Sequence, residues 1–311
     1  TQEGKEIFRI PVLAVVRKVT QMSAQNLKIF ATSPADSDGA MSQVDVKNES
    51  SQDGVVVPMN LIAVDARKYV NPSDAQTTSK ECDIQAVGYK ILDGKIYFGI
   101  KMYQPLTTWF ACEMSVLFDT DGDGNADQEL AGVPMNRLQG LPAVGQFASI
   151  LLDANIAKSI RQQYEISAAL GKPVQLNYVK AVEDVQPMMP LNHSTIALLV
   201  ADISKIRPQK QTGQVSFKIA SSSLEEYNVE EDDFLGDDEK EWRKLDLTPA
   251  GQSYVFSDLA VPMTPKTQKA LTFTKGQGAQ DLMLLMPSNR SLNNSATLDE
   301  QLVIMKPSFQ N

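Results

Sequence analysis

The chain has 311 residues, 42% of them hydrophobic, enough for a sizeable core in one large unit or two to three smaller ones. Its 38 acidic residues outnumber 29 Lys and Arg, giving a net charge of -9. Without a basic cluster, this balance excludes a nucleic-acid backbone as partner. No apolar run approaches the ~20 residues of a membrane helix, so membrane insertion is not expected. The opening Thr1-Gln2-Glu3-Gly4 has neither an initiator Met nor a signal-like apolar region, and reads as a piece of a longer protein.

Pro11 to Thr20 is a β-rich apolar segment, and Leu27 to Phe30, Met41 to Val46 and Val55 to Val64 read as strands parted by polar turns. Tyr69 to Lys80 carries Asn71-Pro72-Ser73-Asp74 and reads as a loop or boundary, so residues 1–80 are expected to form an N-terminal β-rich module. Asp83 to Leu92 then passes through Asp93-Gly94 into Lys95 to Tyr103, with Ile96, Phe98, Ile100 and Met102 on one face. Asp-Gly between two such runs is a strong hairpin signal. Cys112, Met114, Val116 and Phe118 alternate with Glu113, Ser115 and Leu117, as in a half-buried strand.

Phe147 to Leu152 is another strand, after which Asp153 caps a helix with Ile156, Ile160 and Tyr164 on one face and Gly171 at its end. Val174 to Val179, Ser194 to Ala201 and Gln214 to Ile219 continue the β pattern, and residues 81–224 form the expected second sandwich. Residues 225–246, with Glu230-Glu231-Asp232-Asp233 and Asp237-Asp238-Glu239, read as a solvated acidic linker or loop. Tyr254 to Phe256, Ala270 to Thr274, Asp281 to Met286 and Gln301 to Met305 give residues 247–311 a closing β-rich segment that packs on the first module. The predicted fold is all-β, antiparallel β-sandwich modules with one accessory helix.

The strand ending at Phe118 delivers Asp119-Thr120-Asp121-Gly122-Asp123-Gly124-Asn125-Ala126-Asp127. Calcium takes about six to eight oxygens, and a short loop supplies them when acidic side chains alternate around a glycine. The expected ligands are Asp119, Asp121, Asp123, Asn125 through its carbonyl, and Asp127. Where an EF-hand would place a bidentate Glu there is Leu130, with Glu129 one residue early, and a strand precedes the loop instead of a helix. The alternative is a solvated Asp/Gly turn without metal.

No catalytic constellation emerges. The one histidine, His193, lies in Asn192-His193-Ser194 and reads as a polar residue starting a strand. Tyr97, Tyr103, Trp109 and Phe110 surround the hairpin before the acidic loop; they are candidates for ligand stacking or for core and edge packing. Trp242 is expected to be exposed. Cys82 and Cys112 leave two alternatives, a disulfide or two buried thiols, and a disulfide would favour an extracytoplasmic compartment. Asn48, Asn192, Asn289 and Asn293 begin Asn-X-Ser sequons, which are acceptor patterns only.

The segments Asp83 to Gly88, Gly94 to Ile100, Thr107-Thr108-Trp109 and the Asp119 to Asp127 loop are similar to non-catalytic β-sandwich regions of large secreted bacterial subtilisin-like serine peptidases. Those regions follow the catalytic domain and look like DOMON and family-nine carbohydrate-binding sandwiches. The likeness continues through Asn192 to Val200 and Asp281 to Leu285. It implies a calcium-stabilised, extracellular or periplasmic accessory region that stabilises or positions a neighbouring enzyme domain of its parent chain. The alternative it carries is a module binding carbohydrate or another cell-surface ligand.

Overall fold

The structure, a computed structural model, describes residues 19–33, 35, 37–66, 82–104, 112–134, 147–171, 178–188, 195–207, 213–223, 233–235, 241–248, 251–277, 281–287, 289 and 301–310. In chain order the strands begin with β1 (Met22–Phe30), β2 (Met41–Asn48) and β3 (Gly54–Val64), then β4 (Ile84–Leu92) and β5 (Lys95–Met102). β6 (Cys112–Asp119), β7 (Gln128–Pro134) and β8 (Phe147–Asp153) lead into helix α1 (Ala154–Ala169). β9 (Val182–Met188), β10 (Ile196–Asp202) and β11 (Gln214–Ser223) follow, then the short β12 (Asp233–Phe234), β13 (Arg243–Asp246), β14 (Tyr254–Val255) and β15 (Val261–Met263). β16 (Thr267–Lys275), β17 (Leu282–Leu285), β18 (Leu302–Met305) and β19 (Ser308–Gln310) come last.

These strands build three sheets, and the fold is all-β as the sequence predicts. The first runs β14-β16-β2-β1-β19, the middle β10-β5-β4-β3-β17-β18 with β15 beside β3, and the third β12-β11-β6-β7-β8-β9 with β13 beside β11. Ladder pairing is antiparallel except that β19 runs parallel to β1. β3 pairs with β4 across the expected boundary near residue 80, and β17 pairs with β3.

Register settles which sheets face each other. Tyr89 pairs with Asn60, and Asn60 with Leu282, so these side chains leave the same face of the middle sheet. Tyr89 belongs to a core with Phe98, Phe118 and Phe217, which joins the middle and third sheets. Leu282 belongs to a core with Ile29, Val44, Val46 and Phe273, which joins the middle and first sheets. The first and third sheets therefore sit side by side on one face of the middle sheet.

Between the two cores, buried amides replace a ladder. Asn60 Nδ2 donates to Tyr254 O at 3.1 Å and its Oδ1 accepts the Tyr254 N–H at 2.7 Å. Gln252 treats Ile91 the same way, accepting its N–H at 2.9 Å and donating to its carbonyl at 3.3 Å. Backbone groups that no strand reaches are thus satisfied by side chains.

The Asp93-Gly94 turn has φ of 51° and 73°, the pair of positive values a two-residue type I′ hairpin needs. Cys82 and Cys112 are joined in a disulfide with Cα atoms 5.6 Å apart. It closes the alternative left by the sequence and ties the start of β4 in the middle sheet to the start of β6 in the third. At the other margin of the middle sheet, side chains of the third sheet cover β10. Ser149 Oγ accepts the Val200 N–H at 3.0 Å and Asp184 Oδ2 accepts the Asp202 N–H at 2.9 Å.

Helix α1 is capped by Asp153, whose Oδ1 accepts the Ile156 N–H at 3.0 Å, and Gly171 beyond it has φ of 66°. Its inner face is rotated from the expected one. Ala157 is fully buried and Ile160 packs beside it on Ile150 and Leu152, whereas Ile156 is exposed. A small residue at 157 lets the helix lie close on the sheet, and position 156 then turns outward. The Tyr164 side chain lies outside the described residues.

The acidic stretch also differs from a simple linker, because β12 and β13 both pair with β11. Leu235 and Leu245 enter the core, so apolar residues set among the carboxylates bring parts of the stretch back onto the sheet. Tyr178 and Val179 lie at a turn and not in a strand; the rest of that expected strand, most of Pro11 to Thr20 and the 69–80 loop lie outside the described residues. Two sequon asparagines are structural. Asn48 is fully buried and donates to Gln52 O at 2.9 Å and Met263 O at 3.1 Å. Buried Asn289 accepts the Met22 N–H at 2.6 Å and donates to Met22 O at 3.0 Å. Asn192 and Asn293 lie outside the described residues.

Lys90 is fully buried, with its ammonium 2.8 Å from both the Asp258 and Leu259 carbonyls and 4.7 Å from the centre of the Phe256 ring. Burial pushes its pKa from the ordinary 10.5 down to about 7, opposed by the Asp258 carboxylate. Between those two values the unfolded chain binds more protons, so this lysine makes stability rise with pH from about 7 to about 10.5. Below that window both states are protonated and its contribution is flat. Urea unfolding at pH 7 and pH 9.5 is expected to show this gain in wild type and to lose it in Lys90→Met.

Candidate metal centre

The acidic loop joins β6 to β7, whose register runs from Phe118↔Gln128 to Ser115↔Ala131. It is therefore the tip of a β-hairpin and not the loop of a helix pair: the strand-like residues before it form β6 as expected, and β7, which is not among the expected strands, returns beside it. Val116, Phe118 and Leu130 point into the core and fix the hairpin's base. The loop folds inward because its carboxylates accept its own amides. Asp119 Oδ1 accepts the Gly122 N–H at 2.6 Å and Oδ2 the Gly124 N–H at 3.1 Å. Asp121 Oδ1 accepts the Asp123 N–H at 3.0 Å. Asp127 Oδ2 accepts both the N–H and hydroxyl of Thr120, each at 2.7 Å. Gly122 and Gly124 have φ of 87° and 84°, a region costly to any residue with a Cβ.

As a result one oxygen each of Asp119, Asp121 and Asp127 lies within 4.8 Å of the others, and this group could hold a metal ion. Asp119 is buried, Asp127 half-buried and Asp121 exposed, so the cluster opens to solvent from a fixed base. A carboxylate has about four acceptor sites, and the amide bonds leave each of the three with capacity for a cation. Asp123 turns to Asn125, accepting its N–H at 2.7 Å and its side-chain amide at 3.1 Å. Those bonds hold its carboxyl below the usual range.

The loop is braced from three directions that the sequence pattern does not reveal. The Asp127 carbonyl accepts the Ala154 N–H at the start of α1 at 2.9 Å and Arg207 Nη2 at 3.2 Å. Trp242 Nε1 donates to Gly124 O at 3.2 Å, with Lys218 Nζ 4.3 Å from the centre of its ring. The backbone groups of the loop are thus tied to α1, to the segment after β10 and to the end of the acidic stretch.

Glu129 belongs to a different site. Strand alternation sends it to the outer face of the third sheet, where Arg161 Nη2 reaches its two oxygens at 3.0 and 2.9 Å and Ser115 donates at 2.8 Å. Glu113 lies 3.8 Å from the same guanidinium. Burial disfavours the Arg161 cation, but the Glu129 and Glu113 carboxylates outweigh it and raise its pKa.

Tyr97 packs half-buried against the apolar cluster of Val57, Met59, Met283 and Leu285 on the far face of the middle sheet. Tyr103 is half-buried, with its hydroxyl donating to Asp65 O at 2.8 Å. Trp109, Phe110 and His193 lie outside the described residues. No family model matches the chain, and neither does any curated protein. What the fold and the site define is an all-β protein with a carboxylate cluster at a braced hairpin tip. Among the described residues no helix is long and apolar enough to cross a membrane.

Proposed function

We propose that the chain is a non-catalytic accessory β-sandwich region of a secreted bacterial protein, stabilised by calcium at Asp119, Asp121 and Asp127. The observation that carries this reading is the convergence of those three carboxylates at the tip of a hairpin rooted in the core. Hard oxygen ligands on a short loop suit calcium, and the cation would offset their mutual repulsion. The Cys82–Cys112 disulfide is consistent with an oxidising compartment. The resemblance to the sandwich regions of subtilisin-like peptidases suggests that the parent chain carries an enzyme domain, which this region stabilises or positions.

Thermal unfolding in EDTA and in millimolar calcium tests the reading. A ligand present at a hundredfold its dissociation constant stabilises the folded state by about 2.7 kcal/mol, so calcium is expected to raise the midpoint by several degrees. An identical midpoint in both buffers would sink it.

A further inference from the structure

The β16 strand has a side that nothing in the described chain fills. β2 pairs with it from Thr267 to Thr274, but on the opposite side β14 meets only Thr274 and Lys275. Lys275 sets the phase, since its N–H bonds Ala40 O and its carbonyl accepts the Gly39 N–H, each at 2.8 Å, on the β2 side. The next residue, Gly276, donates to Ser253 O at 2.8 Å on the β14 side. Backbone groups alternate sides along an antiparallel strand, so the N–H and C=O of Thr272, Ala270 and Gln268 face outward. All three residues are exposed.

Beside this edge lies a cavity of about 130 Å³ lined by Pro58, Phe256, Leu271 and Phe273, with Asp258 and Lys269 at its exposed rim. Its far wall is held in place, because the buried Lys90 ammonium bonds the Asp258 and Leu259 carbonyls. Asp258 accepts from Ser257 Oγ at 2.8 Å, and Lys269, the cation among the lining residues, lies on the same face of β16 as Leu271. A row of unpaired strand groups recognises an extended backbone, and a pocket beside it selects a side chain.

We propose that the β16 edge receives an extended peptide as an added strand, with an apolar side chain in the cavity and an acidic side chain facing Lys269. Lys269 and Leu271 are two residues apart on one face, so the peptide carries its acidic and apolar residues at the same spacing. The proposal is independent of the metal loop, which lies in a different sheet pair.

The test is fluorescence anisotropy with a labelled acetyl-TEVLVT-amide peptide and its charge-reversed counterpart acetyl-TKVLVT-amide. The acidic peptide is expected to bind saturably and in preference to the basic one. Ala270→Pro removes an outward N–H without touching the β2 ladder and is expected to weaken binding at least about tenfold, with thermal unfolding showing that the variant folds. Lys269→Glu is expected to reverse the preference between the two peptides. Absence of saturation by either peptide at about 1 mM, an unchanged preference in Lys269→Glu, or unaltered affinity in a folded Ala270→Pro variant would overturn it. So would sedimentation showing that wild type dimerises through this edge, since a second copy would then be the occupant.

Discussion

Replacing Arg161 with methionine is expected to cost about 1–2 kcal/mol of folding free energy, less than a fully buried ion pair that loses one partner, because the Arg161 side chain is 41% exposed and water screens the pair. The Glu129 side chain is only 6% exposed and Arg161 is its cation at 2.9 Å; Ser115 supplies a single further hydrogen bond. Without the guanidinium, a desolvated carboxylate sits beneath α1 beside Glu113, and the helix loses its polar anchor to the sheet. One feature separates this from a loss of packing. Adding Glu129→Gln to the variant should recover much of the loss, because the carboxylate left without its cation is then removed. Urea midpoints at constant m-value measure the recovery. A loss below about 0.5 kcal/mol would mean that the pair behaves as an exposed surface bridge.

Opening the disulfide has a larger effect for a different reason. Cys82 and Cys112 are 30 residues apart in sequence, and the loop they close restricts the unfolded chain by about 3–4 kcal/mol on the loop-entropy account. Both residues are buried where β4 and β6 begin, so the bridge also fastens two sheets that share a core. Urea unfolding with and without a strong thiol reductant should show this difference. Equal midpoints with fully reduced thiols would show that the sheets hold each other without the link.

The legible parts of the fold were those written in local period. Ile96, Phe98, Ile100 and Met102 alternate into the core, and Asp93-Gly94 specifies its turn through two positive φ angles. That a strand and not a helix leads into the acidic loop followed from the alternation of residues 112–118, but the returning strand β7, which makes it a hairpin, did not. Long-range arrangement was not legible, because it rests on partners far apart in the chain. Asn60 meets Tyr254 and Gln252 meets Ile91 through single amides, and no spacing announces such pairs. β12 and β13 were hidden because a strongly acidic composition masks the few apolar residues, such as Leu235 and Leu245, that carry them to the core.

The site was legible in its residue types and only partly in its geometry. The alternation Asp-X-Asp-X-Asp suggests that every carboxylate converges. In the structure the backbone amides of Gly122 and Gly124 draw Asp119 inward and Thr120 draws Asp127, whereas Asn125 holds Asp123. Trp242 on the Gly124 carbonyl was unreadable because it arrives from more than a hundred residues away. Glu129 looked like a misplaced calcium ligand, but pairs with Arg161 because strand alternation sets it on the opposite face from Leu130.

Calorimetric titration of calcium into wild type, Asp121→Asn and Asp123→Asn tests directly whether the loop holds a cation. One calcium per chain is expected, binding at least about tenfold weaker in Asp121→Asn, since one charged ligand is lost, and little changed in Asp123→Asn. Asparagine keeps the side-chain oxygen that accepts the Asp123 N–H in the loop, so the first variant changes charge and not the turn. No saturable binding in wild type, or a loss confined to Asp123→Asn, would contradict a cation held by Asp119, Asp121 and Asp127.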